Sequence, residues 1–513
     1  MITKYLIPFA MFGLLVMTGC QKLNEDPKAT IVPGSYYNTT ADLEAALAGV
    51  YEVYAYDGVL GFTNRMTTYF GADDLTTDPG LNKQDMREFD RLSGTSQNGG
   101  LAVYNVWKGI YQANNLLANY QNAKDAPDLE KTQVAGQCYF LRGWAYYLLV
   151  RTFGPMPLIL TPTDPNAGPP RDSVGDIYTS IVSDLKKAKA MLPTNWPSQP
   201  GKATSWAARS MLADVYLTMA GWPLNKNEYY AQAAAEADSV ITGGTFNLST
   251  PYDKVFTTNN TPESIFALQF SVSGNLPQRS YGSSCVPLEE TAVNGSGGWD
   301  DYYPEINFYK NAPKCTRSDA TFYTTIKLIQ PDKTYKLVNW DDPATRVQHP
   351  YYKKFRAGLN GDGVNETATS ILAINPSTNK ALDIIRYPLV LLDYAEASTM
   401  ATGNPSSDAY AAINQVRSRA GEPPLVTGLS GTAFRDSVVV ERGYEFAGEF
   451  GIRWFDIVRL QLLPKVIAAR SPAENSIPVG VSGNAAILQQ QYIAPIPFAE
   501  MITNPKWTQN PGY

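Results

Sequence analysis

Residues 389–420, LVLLDYAEASTMATGNPSSDAYAAINQVRSRA, fall into two helix-forming halves around one turn. Leu389 to Thr402 is one helical run. Gly403-Asn404-Pro405 interrupts it, because proline has no amide proton and its ring collides with the preceding turn. Ser407 to Ala420 is the second run. Two helices on so short a link must pack antiparallel, and the pair has about the size of a tetratricopeptide unit, roughly 34 residues. The full repeat consensus is absent, so this pair alone reads equally well as a generic α-hairpin.

The same grammar recurs upstream. From Asp42, the side chains Leu43, Leu47, Val50, Tyr51 and Tyr54 recur at helical spacing. Leu101 to Tyr120 places Val103, Trp107, Ile110, Tyr111 and Leu117 on roughly one face. Leu129 to Thr152 stops at Gly154-Pro155, Asp176 to Leu192 stops at Pro193, and Ser205 to Ala220 and Tyr229 to Ile241 form another pair closed by Gly243-Gly244. Successive hairpins of this kind predict a mostly α fold, a solenoid-like framework of tetratricopeptide-like helical hairpins. Between residues 245 and 385 the pattern is lost to Gly, Asn, Pro and Asp, with short strand-like runs such as Ile265 to Phe270. An irregular stretch of that length inside a compact protein points to a binding role.

The N-terminus carries a different signal. Lys4 precedes an apolar run from Tyr5 to Val16, too short to span a bilayer and suited to a secretory signal. Met17-Thr18-Gly19-Cys20 resembles a bacterial lipobox, which predicts cleavage before Cys20 and lipid on that cysteine; two or three acyl chains hold a protein firmly to a membrane. No other stretch of about eighteen apolar residues occurs. The expected organisation is a signal over 1–19, a lipid-anchored tether over 20–40, an N-terminal helical block over 41–244, an irregular ligand-binding insertion over 245–385, and a C-terminal helical block and tail over 386–513.

Composition excludes some functions. A net formal charge of −6 lacks the basic footprint that nucleic acid requires. Cys138 lies among apolar helical residues and reads as a buried thiol, while Cys285 and Cys315, thirty residues apart in the irregular region, are a possible disulfide of an exported protein. No CxxC or Cys/His cluster suggests a metal, and no phosphate loop or other motif implies a cofactor. With His349 the single histidine, no Ser/His/Asp or Cys/His set can be varied over the chain. The paired acids Glu289-Glu290, Asp300-Asp301 and Asp341-Asp342 imitate a glycosidase pair, but adjacent residues on a strand point to opposite sides. An enzyme is not expected.

Several segments, in order, resemble the SusD/RagB family of outer-membrane nutrient-binding lipoproteins: Phe140-Leu141-Arg142 through Phe153-Gly154-Pro155-Met156-Pro157, Gly201-Lys202-Ala203-Thr204, Arg386 to Ala397, Ala412 to Gly421, Glu441-Arg442, Glu445, Glu449, Arg453 to Arg459, and the ending Gln509-Asn510-Pro511-Gly512-Tyr513. The resemblance implies a helical scaffold with an irregular ligand-binding subdomain, located at the outer membrane, lipid-anchored and facing the exterior. It implies capture of a nutrient polymer, a glycan or alternatively a peptide as in RagB-like proteins, for a SusC-like TonB-dependent transporter. A surface glycosidase is the third reading. Arg386, Arg417, Arg419, Glu441, Arg442 and Asp456 lie on apolar helices, where Arg–carboxylate pairs would lock helices together.

A sugar ring needs an aromatic face for its C–H side and polar partners for its hydroxyls. Trp299, Tyr302 and Trp340, each beside aspartates in the irregular region, are the expected ligand contacts, together with Tyr69 and the Asp73-Asp74 pair of the early loop, which resembles a family feature. The competing role for each aromatic is packing of loops onto the helices.

Overall fold

A computed structural model describes residues 36–56, 59, 72–77, 102–163, 168–270, 285–290, 299–332, 334–356, 380–472, 492–511 and 513. The signal, Cys20 and Tyr69 lie outside the described residues.

Ten helices of eight or more residues among the described residues form the frame. They are α1 (Thr40–Ala55), α2 (Trp107–Asn119), α3 (Asp128–Phe153), α4 (Val174–Met191), α5 (Ser205–Ala220), α6 (Tyr229–Gly243), α7 (Tyr387–Thr402), α8 (Ser407–Ala420), α9 (Gly431–Glu445) and α10 (Ile452–Arg459). Local chemistry sets their ends. Thr39 and Asp42 form a capping box at α1, Thr39 Oγ1 accepting from the Asp42 amide and Asp42 Oδ2 from the Thr39 amide. Ser173, Thr204, Ser406 and Ser430 accept from the amides three residues on, at the starts of α4, α5, α8 and α9. Gly403 and Gly421, at φ of 85° and 82°, close α7 and α8 in the left-handed conformation that costs glycine least.

Each helix from α1 to α8 packs on its successor, and α6 packs on α7 although the whole irregular region lies between them in sequence. The C-terminal hairpin therefore resumes the stack where the N-terminal one leaves it. α3 is buried along most of its length, and Gly136 and Gly143 let α4 approach it: a Cβ at Gly136 would lie 2.9 Å from Leu192. α7 is also enclosed on nearly all sides, as a helix apolar all round must be.

Among the described residues, the irregular region holds three two-stranded antiparallel sheets: β1 (Ser264–Leu268) with β6 (Leu382–Arg386), β2 (Phe322–Tyr323) with β5 (Tyr351–Tyr352), and β3 (Thr325–Ile329) with β4 (Tyr335–Asn339). Because β6 runs directly into α7, the β1–β6 pair clasps both ends of the insertion to the stack. The expected strand near Ile265 is β1. Cys138, Cys285 and Cys315 are all thiols, so the possible Cys285–Cys315 disulfide does not form; Cys285 is buried, and Cys315 faces Ser318 and Glu422.

Buried charge ties the subdomain to the scaffold. Arg386 Nε and Nη2 donate to the two oxygens of Glu449, at 3.0 and 2.9 Å, and Nη1 to Glu445 at 3.0 Å and to Glu263. Arg419 joins Glu263 and Glu445, Arg317 joins Glu422, Glu441 and Glu445, Arg417 joins Glu441 and Glu422, and Lys354 joins Glu449. Five cations thus face five carboxylates. Burial alone would raise the Glu445 carboxyl, but Arg419, Arg386 and Arg317 around it hold it down to about 2. A second set binds α7 to α9 and α10: Arg442 donates to Asp393 and Asp456, and Arg459 donates to Glu396 and Asp456. The Arg–carboxylate locks expected on these helices are present.

Candidate functional site

Two loop regions far apart in sequence meet on the subdomain. Thr76 and Tyr303 exchange backbone hydrogen bonds, the Thr76 amide to the Tyr303 carbonyl at 2.9 Å and the Tyr303 amide to the Thr76 carbonyl at 3.1 Å. Thr77 Oγ1 donates to the Asp301 carbonyl beside them. The early loop that carries Asp73-Asp74 is thereby fixed against the segment that carries Trp299 to Tyr303.

Trp299 stands at the edge of this junction, half-buried. Its position follows from Asp300, which is fully buried and takes a φ of 50°, a conformation in which Asp is among the few tolerated residues. Asp300 Oδ1 accepts from the Leu288 amide at 2.9 Å and from the Tyr351 hydroxyl at 2.7 Å, and Oδ2 accepts from Arg346 Nη1 at 2.6 Å. Burial pushes the Asp300 carboxyl up, and the Tyr351 and Arg346 bonds oppose that push. The Arg346 side chain keeps 44% of its surface exposed while bound to Asp300. A half-buried tryptophan and a half-exposed guanidinium therefore both attach to one anchored aspartate, the residue types of stacking face and hydrogen-bond donor that a sugar needs.

Of the other expected contacts, the structure describes Tyr302, Trp340, Asp73 and Asp74, and places each in a packing or bonding role. Tyr302 is completely buried against Phe355, at 6.2 Å between ring centres, so no ligand reaches its face. Trp340, 8% exposed, packs edge-on to Tyr309 at 5.7 Å in a cluster with Tyr303, Ile326, Val338 and Tyr351. Both hold the subdomain together. Asp73 binds Arg453 of α10 through both oxygens, at 2.6 and 2.7 Å, and Asp74 accepts from the Gly448 amide at 2.8 Å. Burial raises the Asp74 carboxyl to about 7 against that bond. The acidic pair is a clamp between the early loop and α10, with little left for a ligand.

His349 and Glu290, both singled out in the sequence, are held by packing and hydrogen bonds. His349 is buried beside the Tyr303 ring, at 4.6 Å between centres. Glu290 accepts from the Tyr323 hydroxyl, the Lys327 amide and Arg356. Among the described residues no group of three or more His, Cys, Asp or Glu is placed to hold a metal ion, and no helix is long and apolar enough to cross a membrane. Sequence reasoning missed Arg346. Its signal was weak: one arginine in Pro-Ala-Thr-Arg, made notable only by its contact with Asp300.

Comparison with known proteins places this architecture. Residues 30–217 match a SusD-like family described as starch-binding and associating with the outer membrane, and residues 262–513 match the SusD family. The chain belongs to the SusD/RagB family. Family members include the SusD-like protein P2 of Formosa agariphila, 28% identical over 99% of this chain and all of that one. A crystal structure of a SusD homolog from Bacteroides thetaiotaomicron superposes with a TM-score of 0.80 at 24% identity, covering 94% of this chain and 98% of that one. A structure described as a laminarin-binding SusD-like protein matches with a TM-score of 0.71 at 24% identity, over 93% of this chain and all of that one. This chain shares the SusD fold with them: tetratricopeptide-like helices with, among the described residues, few and short strands and no closed sheet.

Proposed function

We propose that this SusD-family protein is a cell-surface lipoprotein, anchored through Cys20, that captures a nutrient glycan and passes it, without turning it over, to a SusC-like TonB-dependent transporter. The observation that carries the binding role is the Thr76–Tyr303 junction, which fixes two loops together and leaves Trp299 and Arg346 at the surface around the anchored Asp300. Membership in a family described as starch-binding, and likeness to a protein described as laminarin-binding, support a glycan as the ligand class. In this reading Trp299 stacks on a sugar ring and Arg346 meets its hydroxyls; Tyr69, outside the described residues, stays a proposed contact on the strength of its sequence alone. Tyr302, Trp340, Asp73 and Asp74 support the site from beneath.

A stacking contact contributes on the order of 1–3 kcal/mol, so Trp299→Ala should weaken polysaccharide binding about five- to hundredfold while the melting temperature stays unchanged. Affinity electrophoresis against a panel that includes laminarin, with casein peptides as the competing class, reads this directly. Binding of peptides but of no glycan, or equal glycan binding by the variant, would remove the assignment. The anchor is tested separately. Cys20→Ser should move the protein from the membrane fraction to the soluble fraction of fractionated cells; a variant that stays membrane-bound without the transporter would rule out the lipid.

A further inference from the structure

Away from Trp299, the subdomain contains an open cleft of about 740 Å³, within the range of about 300–1,000 Å³ usual for small-molecule sites. Its floor is one face of the β3–β4 hairpin. Alternation along the strands sends Ile326 and Val338 into the core beneath, and Thr325, Lys327, Tyr335 and Leu337 upward into the cleft. Tyr335 is 50% exposed and Leu337 58%, large apolar surfaces left open to solvent. The walls come from the segment 309–319 and from Lys353.

The charge of this lining is opposite to that of the protein. Lys310, Lys314, Lys327 and Lys353 face the cleft and Asp319 is the one acid among its lining residues, in a chain whose net formal charge is −6. Lys310, Lys314 and Lys353 make no ion pair among the described residues. This contrasts with the Arg386 network, where every cation faces a carboxylate. Lys327 is 4% exposed, its Nζ lying 6.0 Å from the centre of the Tyr335 ring, so one positive charge is held at the floor beside an exposed aromatic face. The three unpaired charges of Lys310, Lys314 and Lys353 around one concavity repel one another and raise the local concentration of anions.

We infer that this cleft binds an anionic oligosaccharide, one whose rings stack on Tyr335 while sulfate or carboxylate groups meet Lys310, Lys314 and Lys353. The inference rests on the glycan-binding reading above and narrows its ligand class. The floor offers side chains and not a strand edge, so it lacks the row of backbone donors and acceptors by which an extended peptide is usually held. The net negative charge of the chain disfavours nucleic acid.

The test uses the mature protein and the triple variant Lys310→Ala/Lys314→Ala/Lys353→Ala, whose folding is checked by its melting temperature. Binding is measured by calorimetry to a sulfated galactan oligosaccharide, an oligogalacturonate, laminarin and polyglutamate, each at about 50 and about 300 mM NaCl. At least one anionic glycan should bind more tightly than laminarin, weaken at the higher salt, and lose about ten- to hundredfold in the triple variant; the matching Lys→Arg triple should retain binding. Which anionic glycan binds identifies the acid group as sulfate or carboxylate. Laminarin bound alone, and equally by parent and triple variant, overturns the cleft assignment and leaves the glycan-binding proposal standing. Polyglutamate bound as tightly as any anionic glycan makes this a peptide site and overturns it too. No binding of any glycan overturns both.

Discussion

Replacing Arg386 by alanine should lower folding stability by about 3–5 kcal/mol. The guanidinium is enclosed, with 1% of its side chain exposed, and it is shared by Glu263, just before β1, and by Glu445 and Glu449, at the end of α9 and in the turn after it. Its removal leaves three buried carboxylates short of a partner where water cannot replace it, and that desolvation, not the lost attraction alone, sets the size of the effect. Arg386 also joins β6 to α7, so the loss falls where the insertion is clasped to the helical stack. Arg417, at 17% side-chain exposure, bonds the same cluster from its wetter side. Its alanine variant should cost about 1 kcal/mol. Urea denaturation followed by circular dichroism compares the two. Equal midpoints for Arg386→Ala and the parent would mean that the network contributes nothing the solvent cannot replace.

Trp340→Ala should cost about 3–5 kcal/mol, the second large effect. The side chain, 8% exposed, belongs to the small cluster of Tyr303, Ile306, Tyr323, Ile326, Val338 and Tyr351. Little of the main core reaches this cluster, so a cavity there cannot collapse against helices. The expected signature is the opposite of that of Trp299→Ala: a lower melting temperature for the subdomain, with glycan affinity reduced only as far as the subdomain is unfolded. Lost affinity at an unchanged melting temperature would return Trp340 to the ligand. The two tryptophans look alike in sequence, each followed by aspartates, so the pair of variants also tests whether burial separates their roles.

That contrast marks how far the sequence reaches. Helices were legible because their information is local: periodic apolar residues, Ser and Thr at their starts, and Gly and Pro at their ends all act within a few residues. α5 and α8 begin and end at the residues their patterns indicate. The ordered motifs from Phe140 to the C-terminus were sufficient to indicate the family, and the charged residues among them, such as Arg386 and Asp456, were legible as buried locks because a charge on an apolar helix must find a partner. In the irregular region no such rule operates. Whether Trp299, Tyr302 or Trp340 meets solvent depends on segments hundreds of residues away, as when Thr77 fastens to Asp301 across 224 positions. The partners of Asp73 and Asp74 were hidden for the same reason, since Arg453 and Gly448 come from the far end of the chain. The cleft lysines stand at 310, 314, 327 and 353, too scattered to read as a basic run, and only the turns of the subdomain gather them. Sequence by itself determined the helical scaffold, its family and its internal charge pairing, because those follow from short-range periodicity and from the cost of burying charge. Which aromatic faces outward and which cations share a cleft were decided by tertiary structure, because in loops the direction of a side chain is fixed by distant contacts and not by its neighbours.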